Sequence, residues 1–132
     1  MEDFLEKIKS KSELEKIFSL GNAIFSQDKK IKANYIFTFR SSQPKLRYAI
    51  TVSSKNGNSV WRNRFKRIVR ESIRTEIDLI KEMIFRDNLK LSIIFSPGRL
   101  RQSSQKKLFL RDLKPGVSEI LMSLKNSSNS EK

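Results

Sequence analysis

With 132 residues, 37% of them hydrophobic, the chain is long enough to bury one small core, and a second domain is not expected. Twenty-eight Lys and Arg against 14 Asp and Glu leave a formal charge of +14, which calls for a polyanionic partner, and aromatic residues scattered among the bases favour RNA or single strands over a membrane. The absence of histidine and cysteine excludes disulfides, thiolate metal sites, the common zinc ligands and the usual general bases and nucleophilic pairs.

In chain order, the acidic start Met1-Glu2-Asp3 does not resemble a signal peptide, and no apolar run approaches the ~20 residues a membrane span requires. A cytoplasmic protein with no membrane attachment is expected. Phe4, Leu5 and Ile8 either extend a first helix or stay loosely attached to it. Leu14, Ile17 and Phe18 predict that helix over about 12–20, with Gly21 suited to its C-terminal cap. Residues 27–32 form a polar, basic connector. Tyr35 to Phe39 has the β-propensity of a strand, on which Tyr35, Phe37 and Phe39 share one face, either core or binding surface. After a turn at 41–44, residues 46–53 alternate. Tyr48, Ile50 and Val52 make an apolar face; Arg47, Ala49, Thr51 and Ser53 make a small, polar one. A cleft between that polar face and the first helix suits an extended single strand, with rings stacking on bases and polar groups meeting the backbone.

The most informative segment is 55–71. On a helical wheel Trp61, Phe65, Ile68, Val69 and Ser72 fall within an arc of about 100° and predict the buried side. Lys66, Arg70, Arg74, Asn63 and Arg67 gather roughly 165° away, with Arg62 and Arg64 on the flanks. Asn56-Gly57 signals a turn, and Asn58 or Ser59 is placed to cap the first turn of the helix. No acid lies between Lys55 and Arg70, whereas a merely solvated helix interleaves acids at i+4. Arginine also presents a planar fork of donors that matches phosphate. Trp61, inside the apolar arc, is expected in the core rather than on a base. Further on, 91–95 reads as a strand ended by Ser96-Pro97-Gly98. Pro115 suits the first turn of a final helix carrying Val117, Ile120, Leu121 and Leu124, and residues 126–132 are expected to be a disordered polar tail after a single domain spanning 1–125.

The run Gly57-Asn-Ser-Val-Trp-Arg62-Asn63-Arg64-Phe-Lys66-Arg67-Ile-Val-Arg70-Glu71 resembles the signature of the bacterial ribonuclease P protein subunits, Gly-x-Ala-Val-x-Arg-Asn-Arg-x-Lys-Arg-x-x-Arg. Ser59 replaces the usual small residue and Trp61 the usual hydrophobe. The resemblance implies an α+β two-layer sandwich in the order α-β-β-β-α-β-α. Its sheet is mostly antiparallel, with about four strands and three helices. A left-handed β-α-β crossover is implied too, known in this family and in a ribosomal-protein domain, against the usual right-handed rule. It further implies that Arg62, Asn63, Arg64, Lys66, Arg67 and Arg70, with Lys55 extending the patch, contact a catalytic RNA. Phe18, Tyr35, Phe37, Arg47 and Thr51 are then candidates for a cleft that holds the 5′ leader of precursor tRNA. Leu14 stands where the family often has an aromatic. Mg²⁺ held mainly by the RNA, and no obligate protein partner, are part of the same expectation. Residues 97–114 are longer and more basic than the family's usual link, and suit either an RNA-contacting arm or a solvated loop. The scattered acids Asp78, Glu82, Asp87 and Asp112 form no metal motif, so a self-sufficient protein nuclease is not expected. A structural RNA-binding protein of ribosome-like type, with no part in cleavage, is the alternative. A DNA-binding helix is disfavoured because no helix-turn-helix spacing precedes Asn58.

Overall fold

The computed structural model describes residues 4–130, with side chains as far as Asn126; the acidic start lies outside the described residues. The described residues open on a strand rather than a helical extension. Phe4 and Ile8, both buried, flank β1 (Leu5–Lys7), which pairs in parallel with β4 (Lys45–Ile50), Leu5 opposite Leu46. A strand this short shows no period of its own, and its partner is remote in sequence.

Helix α1 (Lys11–Leu20) starts where the Ser10 hydroxyl accepts the N–H of Glu13. It stops at Gly21, whose φ of −82° needs no glycine. Space does: a Cβ there would lie 2.5 Å from the Ile17 carbonyl oxygen and 2.7 Å from that of Tyr35. β2 (Asn22–Phe25) and β3 (Ile31–Thr38) then form an antiparallel hairpin, so the strand expected at 35–39 starts at Ile31 and the connector shrinks to a tight turn. That turn is pinned by the Gln27 N–H donating to the Glu119 carboxylate at 2.9 and 3.0 Å.

After β4 come α2 (Ser59–Glu76), α3 (Asp78–Arg86), β5 (Lys90–Pro97) and α4 (Leu110–Ser130). The sheet order is β1-β4-β5-β3-β2. The α+β class holds. The expected order runs from α1 to α4, with β1 added in front and the second helix divided into α2 and α3. The sheet, however, has five strands and is mixed: β1–β4 and β4–β5 are parallel, β5–β3 and β3–β2 antiparallel. Helices α2 and α3 connect the parallel neighbours β4 and β5, which makes a β-α-β crossover.

Two clusters show how the layers form. The main core lies between one sheet face and α2, α3 and α4, with Phe65, Ile73, Ile80, Leu91, Ile93, Phe95 and Leu121 fully buried. On the other face Ile8, Ile17, Ala49 and Ile94 make a small cluster against which Leu14 and Ile36 pack. Helix α1 therefore covers part of the second face, a third layer that a two-layer sandwich lacks. Helix α4 begins before Pro115, which sits inside it rather than in its first turn; the start is capped by the Asp112 carboxylate, which accepts the N–H of Phe109 at 2.8 Å. Residues 126–130, expected as disordered tail, continue this helix, and 131–132 lie outside the described residues.

Candidate nucleic-acid interface

Helix α2 is positioned from its first residue. The Asn58 side chain accepts the Trp61 N–H at 2.9 Å, and Trp61, Phe65, Ile68, Val69 and Ser72 are all buried, as the wheel predicts, with Ile73 added. Trp61 stacks on Phe65 with ring centroids 6.1 Å apart and donates from Nε1 to the Gln105 carbonyl, so it is a core residue.

Burying that stripe turns the opposite side outward. Asn63, Arg64, Lys66, Arg67 and Arg70, with Val60, line a single hollow of about 530 Å³. Among the described residues no carboxylate pairs with any of these bases; the ion pairs lie elsewhere, at Lys45, Arg47, Arg86 and Lys114. The uncompensated charge read from the sequence is thus held on a rigid helix. Two of the expected residues stand apart. Arg62 turns back to the helix start, its Nε donating to the Gly57 carbonyl at 3.1 Å, and Lys55 is exposed on the preceding loop. Arg64 has a second task, since its Nε donates to the Leu108 carbonyl.

The expected single-strand cleft is only partly realised. Thr51 continues the polar face of β4, its N–H donating to the Phe95 carbonyl at 2.9 Å, and Phe18 is 46% exposed one turn after Leu14 on α1. Tyr35 and Phe37 do not belong to it. They lie opposite Ile93 and Leu91 and pack on the main core, so the ring-bearing face of β3 is the one turned away from α1. The α1 side of β3 carries Ile36 and Thr38 instead. With Lys16, Arg47, Lys90 and Ser92 these border a small hollow of about 120 Å³ between α1 and the sheet. Strand parity derived from Tyr35 picks out Ile36 and Thr38, but only the position of α1 says which parity faces the cleft.

Arg47 is already occupied. Its Nε meets Glu6 at 2.8 Å and its terminal nitrogens meet Glu13, while Lys45 bonds to Glu6 at 2.9 Å. This clasp ties β1, α1 and β4 together. Hydrogen bonds from Lys45 and Arg47 hold the Glu6 carboxylate, and those from Arg47 hold that of Glu13, below the usual carboxylate range. Depressed carboxylate pKa values stabilise the fold above the unfolded value of about 4.3 and lose that contribution as pH falls through the lower folded values. Replacing Glu13 with Gln should therefore cost less than about 1 kcal/mol at pH 7, because the carboxylates are half-exposed. In urea denaturation the gap to the unaltered protein should close towards pH 3; an unchanged gap would show that the ion pair is not its source.

A small α+β domain that sets an unneutralised row of arginines on an ordered helix has the electrostatic surface of a polyanion-binding protein. The family model described as Ribonuclease P matches residues 5–120. The ribonuclease P protein component of Bacillus velezensis is 34% identical over 83 residues, 60% of this chain and 65% of that protein, and the Bacillus cereus component is 35% identical over 85 residues, 59% of this chain and 67% of that one. Two solved folds agree: the Staphylococcus aureus RNase P protein (TM-score 0.65, 21% identity, 90% of this chain and 94% of that one) and the Thermotoga maritima RNase P protein (0.68, 19%, 89% and 96%). The chain belongs to the ribonuclease P protein family. Its match spans just under two thirds of the Bacillus velezensis relative.

Proposed function

We propose that this chain is the protein subunit of ribonuclease P, binding the catalytic RNA and the 5′ leader of precursor tRNA and assisting endonucleolytic removal of the leader. The observation that carries the reading is the α2 hollow, where Arg64, Lys66, Arg67 and Arg70 converge with Asn63 and no carboxylate answers them among the described residues. Guanidinium groups fixed at that spacing match phosphates of a folded RNA. Bond cleavage is assigned to the RNA because the chain has neither histidine nor cysteine. Mg²⁺ supplies charge neutralisation and an activated water in such chemistry. The cationic hollow does not fit that ion, which belongs with the RNA phosphates.

Phe18 and Thr51 border the leader's path, with Lys16 and Lys90 as cations near it; Arg47 serves to hold α1 in place through Glu13. The protein acts in the cytoplasm, without a membrane or an obligate protein partner. No helix among the described residues is long and apolar enough to cross a membrane. The test is reconstitution with the catalytic RNA at low Mg²⁺, comparing precursor tRNA cleavage with and without protein. Faster cleavage with protein is expected. Binding without any stimulation would overturn the role in cleavage in favour of a purely structural RNA-binding protein.

A further inference from the structure

Residues 98–109 join β5 to α4, and they are built into the start of α2. The buried Asn56 side chain donates to the Leu100 carbonyl at 3.0 Å, and the Gln102 N–H donates to the Asn56 carbonyl at 2.7 Å. The Asn58 N–H in turn donates to the Gln102 side chain, and Trp61 and Arg64 hold the carbonyls of Gln105 and Leu108. Gly57 is required by this packing, since a Cβ there would lie 2.8 Å from the Trp61 ring.

Between this arm and α2 lies a hollow of about 270 Å³, bordered by Val60, Trp61, Arg64, Lys106, Lys107 and Phe109. Val60 is 76% and Phe109 38% exposed, large apolar groups kept at the surface. Two guanidinium groups lie over the Phe109 ring, Arg111 at 4.5 Å and Arg64 at 5.7 Å from its centroid. Val60 and Arg64 also border the α2 hollow, so the two sites are continuous. An apolar, ring-bearing floor under a cationic rim has the chemistry of a nucleotide: a flat base to stack and a phosphate to neutralise.

We propose that this hollow receives an unstacked base of the RNA bound along α2, with Phe109 as the stacking platform and Lys106 and Lys107 on the adjoining phosphates. The proposal rests on the RNA-binding reading of α2. It also resolves the arm: its backbone is ordered by Asn56 and Gln102, while its lysines stay exposed for the ligand.

The test uses the full chain and the catalytic RNA, with three variants. Phe109→Leu keeps an apolar side chain but removes the ring, and should weaken binding about tenfold, with Phe109→Trp restoring it. Lys106→Ala/Lys107→Ala should lower the salt slope of log affinity by about 1.5. Chemical probing of the RNA should show one base that is protected by the unaltered protein and released with Phe109→Leu. Thermal unfolding is measured alongside, and midpoints close to the parent are expected because the altered side chains are exposed. If the parent fails to bind the RNA, the reading of α2 fails. If the parent binds while Phe109→Leu and the double lysine variant match it in affinity and slope, the base site is overturned. Displacement of the RNA by poly-glutamate that depends on Phe109 would likewise overturn it, in favour of an acidic peptide.

Discussion

Changing Arg67 and Arg70 together to alanine is expected to weaken binding to the catalytic RNA by roughly 10²-fold near physiological salt. Each removes a charge-assisted contact, and hydrogen bonds to charged groups are worth about 1.5–3 kcal/mol, the lower end applying on an open surface. The salt dependence is the sharper readout. If all six bases from Lys55 to Arg70 met phosphates, the slope of log affinity against log salt would be on the order of −4 to −5. The structure brings only Arg64, Lys66, Arg67 and Arg70 into the α2 hollow, which sets the share of the slope carried by this hollow at about −3 to −4. The double variant should then lose a further 1.5–2 or so of that slope. Neither arginine pairs with a carboxylate among the described residues, so the unfolding midpoint should stay constant or rise as like-charge repulsion is relieved. Unchanged affinity and slope would place the RNA interface on another surface.

The reason α2 was legible lies in its locality. Its buried stripe and its basic face are set by a 3.6-residue period within one segment, so neither depends on what packs nearby. The rest depended on distant partners. β1 exists through pairing with β4, and its short span carries no pattern that separates it from a helical extension. For β3 the sequence showed that Tyr35 and Phe37 share a face, yet apolar residues lie on both sides of this sheet, and only the docking of α1, through Ile17, on Ala49 and Ile94 decides which face is the cleft. Arg47 was legible as a polar-face residue but not as the centre of a clasp, because Glu6 and Glu13 come from two other elements. The arm at 98–109 lies in the basic stretch 97–114, which the sequence leaves open between an RNA-contacting arm and a solvated loop; its order comes from the buried Asn56 and from Gln102, amides whose partners lie across the fold.

Phe65→Ala is expected to have the largest effect on stability, about 3–5 kcal/mol, because the ring is fully buried and leaves a cavity between α2 and the sheet. Set against the ~5–15 kcal/mol available to a domain of this size, that is a large fraction of the whole. The unfolding midpoint should fall by about 10–20 °C. The variant nevertheless keeps every cation of the α2 hollow. If Phe65 acts only through the scaffold, RNA binding should fail at temperatures where the free variant is unfolded and return on cooling, with the same salt slope as the parent. Saturating RNA should also raise the midpoint, since a ligand at about 100 times its Kd stabilises the native state by about 2.7 kcal/mol. Arg67→Ala/Arg70→Ala should show the reverse pattern: intact folding, a reduced slope and little rescue by cooling. A Phe65 variant that is fully folded in the cold yet binds with a reduced slope would mean that the ring also sets the spacing of the arginines, making core packing part of the RNA contact itself.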